Sequence, residues 1–560
     1  MKKSKLMYIV FSMIFVVALA INLTSMNYNT VDISKISENL LEKMNDNHGR
    51  LSVSIWRVSP NIDNEKRNVW LAMDSLLENT EQITESNISV SSVFAFSNDV
   101  KMDYRTSVSQ IYVADNASFT TSYLNEDTII YVSRYAPMVI ANLTNEEILN
   151  LSNVSDVISL DYYEEPEFDI PPISAYTNAD SQFIALTNQL SSHTGSGINI
   201  GVYDVGVPNE SETEGMNVIA TLGSYNGTHP GFIADILSEI APNANYYFAG
   251  NATGKSMFEC VEWLLGQGVD VINMSMVNGG DGSSNYGNSS RWFDHIAYNH
   301  YVLLVKSAGN TSGVVSCPGM AYNVMTVGSM QQNGNVYSLA NFSGYYTGNT
   351  LASKPDICAV GPAGTSEAAP RVTATAALLM EEQPLLTYSP ELIKAIMAAS
   401  VDTNTSHHYL PTQRSNVGLN YMQAGAGLLS TVNALDVEIN NQSRSSNLSA
   451  DHTEQTYTFT ISSDDVGSTV RIAMAFTVPV DIAGNHEEES TISYTIPNLD
   501  LSVFTPNTTV ASWISATTNN NIEIVEFIPQ VAGTYTIKVA STSEIESGNW
   551  IYYGVAWSIQ

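Results

Sequence analysis

Gly364-Thr365-Ser366-Glu367-Ala368-Ala369-Pro370, followed by an alanine-rich apolar run, is the stretch on which the reading of this chain turns. A serine that follows a tight Gly-Thr turn and opens a helix exposes its hydroxyl at a helix N-terminus. The first N–H groups there have no intrahelical partner and favour developing negative charge. Acyl-transfer chemistry needs its nucleophile in such a place. A Gly-Thr-Ser standing alone would be an ordinary N-cap, so the chemical reading depends on what lies upstream.

A serine hydroxyl is a weak nucleophile until a base takes its proton, and the base needs an acid to fix its tautomer. Gly197-Ile198-Asn199-Ile200-Gly201-Val202-Tyr203-Asp204 reads as a buried strand ending in an acid. His229-Pro230-Gly231-Phe232-Ile233-Ala234-Asp235-Ile236-Leu237-Ser238-Glu239-Ile240 reads as a helix with histidine first. Proline suits its first turn, and Ile233, Ile236, Leu237 and Ile240 make an apolar stripe. Val302-Leu303-Leu304-Val305-Lys306-Ser307-Ala308-Gly309-Asn310 is an apolar strand ending in Ala-Gly-Asn. These segments, in the order Asp, His, Asn, Ser, resemble the motifs of the subtilisin-like serine proteases, the subtilases of peptidase family S8. The resemblance implies Asp204 as the orienting acid, His229 as the base, Ser366 as the nucleophile and Asn310 as the side-chain donor to the oxyanion. A second register aligns Asn226-Gly227-Thr228-His229 with the family's His-Gly-Thr-His. It puts asparagine where the base belongs and implies an inactive protein. The first register is preferred, although Pro230-Gly231 replaces the usual Gly-Thr.

The resemblance extends over roughly 185–437. It takes in Gly268 to Met276, Asn323 to Gly328, Asn341-Phe342-Ser343, Lys354 to Ile357, Ser389 to Met397 and Gly425 to Leu429. It implies an α/β three-layer sandwich with a mainly parallel sheet, and a cleft whose first specificity pocket is lined by Ser275, Met276 and Val277 on one side and Ser307, Ala308 and Gly309 on the other. The loop between Ile357 and Gly364 is short for the family. Calcium is common in the family, but no carboxylate cluster here has a diagnostic spacing, and no cofactor is required.

The chain has 560 residues, room for three or four domains, and a formal net charge of −34. That balance argues against nucleic acid as a partner, because phosphate neutralisation needs clustered Lys and Arg. Three cysteines, Cys260, Cys317 and Cys358, are too few for a disulfide framework. Buried thiols are favoured over one bridge and a spare. Lys2, Lys3 and Lys5 before an apolar run from Leu6 to Ala20 read as a secretory signal, 1–20, with Ala18-Leu19-Ala20 as the cleavage site. An uncleaved run would be a membrane anchor with the bulk outside. The expected location is extracellular or at the cell surface.

Residues 30–165 show a helical pattern from Ile33 to Met44, a strand from Leu51, a helix from about Asp63 to Leu77, a strand at Thr128–Val132, and a strand-cap-helix over Met138–Leu151 with a Thr144/Glu147 capping box. A strand at Val157–Asp161 closes the set. The order resembles the small α+β propeptide of secreted subtilases, which implies an intramolecular inhibitor whose tail lies in the cleft until it is cut. A Glu- and Pro-containing stretch then leads into a linker at 166–184. After residue 437, alternating segments from Gln455, Val470, Leu499, Ile522 and Gly533 argue for a β-sandwich, and two of its signatures resemble the jelly-roll domain appended to some subtilases. The expected function is that of a secreted serine endopeptidase acting on polypeptides. The competing reading is a catalytically silent subtilase fold that binds a surface partner. A lipase-like esterase is disfavoured because the serine lacks the Gly-x-Ser-x-Gly elbow.

Overall fold

The computed structural model describes residues 31–46, 49–69, 71–72, 90–164, 168–169, 193–250, 254–278, 286–315, 317–333, 336–345, 352–402, 423–479, 496–545 and 549–560. The expected signal, 1–20, and most of the 166–184 linker fall outside them. In the N-terminal part come helix α1 (Glu38–Asp46), strand β1 (Leu51–Arg57), helix α2 (Val90–Tyr123), strands β2 (Ile129–Val132) and β3 (Met138–Leu143), helix α3 (Asn145–Ser152) and strand β4 (Val157–Tyr162). The strands form one antiparallel sheet in the order β2-β3-β1-β4. Leu51, Val53 and Ile55 of β1 pack with Leu40 and Met44 of α1 and Ile148 of α3. Trp56 points into a different apolar cluster, shared with the next unit. Thr144 caps α3 and Glu147 reaches back to the Thr144 N–H, so both halves of the capping box are present. The helix expected from Ile33 starts as a 3₁₀ turn and becomes α-helical only at Glu38. The helix expected from Asp63 is present at 63–69 and 71–72, and its remainder lies outside the described residues.

Helix α2 is 34 residues long and had no counterpart in the sequence reading. Serine, threonine and asparagine recur along it, and these are indifferent helix formers. Its buried positions mix Tyr104, Val108, Tyr112 and Phe119 with Lys101, Arg105, Ser109 and Asn116, so charged and polar residues interrupt the apolar period that would announce it.

The two-residue strand β5 (Phe168–Asp169) leads toward the central unit, which alternates strand and helix: β6 (Asn199–Asp204), β7 (Asn217–Leu222), α4 (His229–Ile240), β8 (Asn245–Gly250), α5 (Met257–Gly266), β9 (Val271–Met274), β10 (Val277–Asn278), α6 (Asn288–Asn299), β11 (Leu303–Ser307), β12 (Met325–Asn333), β13 (Val336–Leu339), β14 (Ile357–Val360), α7 (Thr365–Glu382), α8 (Pro390–Ala399) and α9 (Thr431–Ile439). Strands β6, β8, β9 and β11 are buried along nearly their whole length, as expected of strands covered on both faces, and β12 joins them. They form a sheet of eight strands in the order β13-β12-β11-β9-β6-β8-β7, with β14 also on β12. All its pairings are parallel except β12 with β13. Helices α4 and α7 cover one face through Ile233, Leu237, Val372 and the fully buried alanines of α7. Helices α5 and α6 cover the other through Phe258, Val261, Trp292 and Ile296. This is the subtilisin-like sandwich with a mainly parallel sheet.

The chain ends in strands β15 (Ser443–Ser449), β16 (Glu454–Ile461), β17 (Val470–Phe476), β18 (Leu499–Phe504), β19 (Trp513–Ser515), β20 (Ile522–Phe527), β21 (Gly533–Ser541) and β22 (Trp550–Ile559). They make two four-stranded antiparallel sheets, β15-β22-β17-β20 and β16-β21-β18-β19. Inward residues of both meet in one apolar cluster that includes Ile472, Met474, Leu501, Val525, Ile537 and Val555. Arg471 of β17 ties this sandwich to the central unit. Its guanidinium donates to Ala398 O at the end of α8 and to Ala426 O, and pairs with Glu526. The three cysteines are unbridged and buried, and burial pushes the Cys260 thiol up to about 12. Among the described residues no helix is long and apolar enough to cross a membrane.

Candidate active site

Asp204 is the last residue of β6, at the carboxyl edge of the parallel sheet, where an α/β fold places its ligands. Its side chain is 1% exposed, and Oδ1 accepts from the Val205 N–H. His229 is the first residue of α4 and is 3% exposed. The imidazole Nδ1 lies 2.9 Å from Asp204 Oδ1 and 3.0 Å from Oδ2. A carboxylate only accepts, so Nδ1 carries the proton and Nε2 is the basic nitrogen of the neutral ring. Burial, the largest single influence, works against protonation of His229. The charge of Asp204 and its hydrogen bond together outweigh it, and the imidazole titrates above its ordinary 6.5.

Asn226 has a different place. Its amide Nδ2 donates to Val205 O at 3.2 Å, which ties the loop before α4 to the chain just after Asp204. The ring that meets the acid is that of His229.

Ser366 is the second residue of α7, and helices α7 and α4 pack together on the same face of the sheet. Its hydroxyl is buried and makes no hydrogen bond among the described residues. The N–H groups of the first turn have no intrahelical acceptor by geometry, so that of Ser366 is free to serve an incoming anion.

Asn310, just past β11, turns its side chain onto the start of α7. Its Oδ1 accepts from the Thr365 N–H at 2.8 Å and from Thr365 Oγ1 at 2.9 Å. A backbone N–H can only donate, so the amide oxygen must face Thr365 and Nδ2 must face away from it. Thr365 Oγ1 in turn accepts from the Gly309 N–H at 3.0 Å. One threonine hydroxyl thus clamps the Ala-Gly-Asn loop to the serine turn. A Cβ built on Gly364 would lie 3.2 Å from Ser366 Oγ and 3.3 Å from Asn310 Nδ2, so both groups border the space this glycine leaves open. Gly309 has a φ of +99°, a conformation that L side chains rarely adopt, at the turn that aims Asn310.

Of the six residues expected to line the first specificity pocket, Ser275 accepts from Asn273 Nδ2 at 2.8 Å, and Asn273 Oδ1 accepts from Thr373 of α7. Met276 packs in the α5–α6 core. Val277 lies in β10, which pairs antiparallel with β5, Val277 opposite Asp169 and Asn278 opposite Phe168. Ser307 is engaged from beneath, for Lys306 Nζ donates to Ser307 O at 2.6 Å and to Ser307 Oγ at 3.1 Å. Burial pulls the Lys306 ammonium down to about 7 against the attraction of Cys317 and Asp204. Ala308 N–H donates to Val327 O, and Gly309 O accepts from the Gly344 N–H.

Thr365 and Asn273 had no assigned role in the sequence reading. For Thr365 the signal was present, a hydroxyl residue beside the serine, but its partners are 55 and 56 positions away in the chain. Among the described residues no group of three or more His, Cys, Asp and Glu side chains converges as a metal site.

A parallel sheet with an Asp–His pair at its carboxyl edge and a serine at the head of the adjacent helix defines the subtilisin-like α/β class. Residues 215–423 match the sequence profile of the Subtilase family, peptidase S8. Over this unit the chain is similar to the subtilases. It is 30% identical over 227 residues to an alkaline protease of Alkalihalobacillus alcalophilus, in a match that covers 34% of this chain and 56% of that relative. Against subtilisin Savinase of Lederbergia lenta it is 29% identical over 227 residues, covering 34% of this chain and 79% of the relative. The chain thus spans little more than half the length of the first of these. Among solved structures, fervidolysin from Fervidobacterium pennivorans, a keratinolytic enzyme related to subtilisin, aligns with a TM-score of 0.46 at 13% identity, covering 87% of this chain and 69% of that one.

Proposed function

We propose that this protein is a secreted serine endopeptidase that hydrolyses polypeptides through Asp204, His229 and Ser366. The observation that carries the reading is the buried imidazole of His229, oriented by both oxygens of Asp204 through Nδ1. In this mechanism His229 Nε2 takes the proton of Ser366 Oγ as the oxygen attacks the scissile carbonyl. It then gives that proton to the leaving amine, and water completes the cycle through the acyl-enzyme. Asn310 Nδ2 and the Ser366 N–H receive the oxyanion. The clamp through Thr365 fixes the amide orientation beforehand, and preorganisation of this kind is what makes a donor effective. The cleft readings of Ser275, Met276, Val277, Ser307, Ala308 and Gly309 belong to the same proposal. So does a substrate paired in extended form along β10.

The N-terminal unit acts as an intramolecular inhibitor in this reading. Support comes from β5, which already occupies the strand edge at β10 that a substrate would use. Secretion rests on the 1–20 segment and on acidic composition. A calcium site, common in the family, has no cluster among the described residues to which it could be assigned. The test is hydrolysis of casein or a mixed peptide library by the purified chain. Release of new N-termini by the wild type and none by Ser366→Ala supports the proposal. Equal release by both, or none by either with the fold intact, favours the silent-fold reading.

A further inference from the structure

Helices α5 and α6 end side by side, and their last carbonyls face inward, away from water. Helix α2 of the N-terminal unit supplies the missing donors. Arg105 Nε and Nη2 donate to His300 O at 3.0 and 2.9 Å, Nη1 to Val269 O at 2.9 Å and Leu265 O at 3.3 Å, and Nη2 also to Tyr301 O at 3.1 Å. Tyr104 OH donates to Asn299 O at 2.6 Å. Leu265 lies in the last turn of α5, Asn299 ends α6, and His300 is its C-cap. A fully buried guanidinium therefore sits where the negative ends of two helix dipoles meet. One turn earlier Lys101 pairs with Asp270, both fully buried, and the second oxygen of Asp270 accepts from the Asn199 N–H at the start of β6.

The sheet side of the unit is docked in the same manner. Glu262 of α5 accepts from Tyr131 OH, Ser133 Oγ and the Arg134 N–H. Tyr135 O accepts from His295 and His300. Trp56, Tyr131, Tyr135, Met138 and Ile140 belong to the same apolar cluster as Phe258 and Trp292. The two effects differ in kind. The buried Lys101–Asp270 pair adds little net affinity, because desolvation nearly cancels its attraction. Shared apolar burial supplies the affinity, and the Arg105 fork fixes one geometry and leaves carbonyls unsatisfied when it is lost.

We propose that the N-terminal unit is a permanent subunit, held by α2 as the C-cap of α5 and α6, so that cutting the chain beyond β5 does not release the unit. The word cutting rests on the peptidase reading, but retention does not, and it can be tested in the inactive protein. A recognition site for a sequence-specific endopeptidase is inserted between Thr177 and Asn178 of full-length Ser366→Ala. The chain is cut with that endopeptidase, diluted to nanomolar concentration and run on size exclusion. The expected result is co-elution of both fragments, separated only by denaturant. Arg105→Met in the same background should raise the concentration at which they part by roughly a hundredfold or more, with Arg105→Lys in between. If Arg105→Met does not fold, Tyr104→Phe, which removes one donor, should still raise it by about tenfold. An N-terminal fragment that elutes alone from the cut parent at micromolar concentration overturns the proposal, as does parting that is the same in all the variants. Failure of peptidase activity in the wild type would leave this result unaffected.

Discussion

Thr365→Val removes one hydroxyl and keeps the size and branching of the side chain. Thr365 Oγ1 donates to Asn310 Oδ1 and accepts from the Gly309 N–H, so the change strips two bonds from one buried clamp. The Gly309 N–H is then left without an acceptor, at a stability cost of about 1–3 kcal/mol. Asn310 keeps its bond from the Thr365 N–H, so its amide still faces the right way but is held at one point instead of two. Losing an oxyanion donor outright lowers turnover by about a hundred- to a thousandfold. Loosening it should lie between that and nothing, roughly ten- to thirtyfold in kcat, with KM little changed because the donor acts on charge that develops in the transition state. Initial rates on a chromogenic peptide and thermal unfolding measured together separate the two effects. Thr365→Ser, which restores the hydroxyl, should recover most of the rate. Combined with Asn310→Leu, Thr365→Val should add less than about twofold, since both act through one donor. Loss of stability with unchanged kcat would show that the clamp is scaffold and that Asn310 needs no help to point.

Three further outcomes follow from the same geometry. His229→Ala should be as damaging as Ser366→Ala in casein hydrolysis, with the double variant little worse, whereas Asn226→Ala should be mild; activity surviving in His229→Ala would overturn the mechanism. Because Asp204 holds His229 above its ordinary value, the base is protonated and idle at low pH, and kcat/KM should rise with pH through a titration above 6.5; in Asp204→Asn the remaining activity, lower by roughly ten-thousandfold, should titrate at a lower pH. The same raised value makes the His229–Asp204 contribution to stability fullest below the unfolded histidine value and lost as pH climbs through the folded one, which the pH dependence of unfolding for wild type and His229→Ala would reveal. Ser366→Ala should also retain its N-terminal unit covalently in a preparation where the wild type is cut, as read by intact mass; equal cutting of both would assign the cleavage to another protease.

Much of the central unit was legible because its signals are local. Continuous apolar runs marked β6, β9 and β11, and the stripe from Ile233 to Ile240 marked α4, with all four of its residues buried. The Thr144 capping box was readable from two residues three apart. The long helix α2 was not, because its buried face mixes Tyr104, Val108, Tyr112 and Phe119 with Lys101, Arg105 and Asn116, which look like surface until their partners at Asp270, His300 and Ala136 are known. Strands β15, β19 and β22 were missed in a region otherwise read as β. Ser443–Ser449 is almost wholly polar, and Trp513–Ser515 has three residues, too few for a period. At the site, the motif order brought forward Asp204, His229, Asn310 and Ser366, but the clamp through Thr365 joins residues 55 and 56 positions apart, a tertiary contact that no spacing encodes.

The central claim is that Ser366 is a nucleophile activated by His229. Exposure of the purified chain to a peptidyl fluorophosphonate, followed by intact mass and fragment mapping, tests it most directly. The account predicts one phosphonyl adduct per chain, located on Ser366, absent in Ser366→Ala and formed at least a hundredfold more slowly in His229→Ala. A folded wild-type chain that takes no label, or carries it on another residue, would contradict the account.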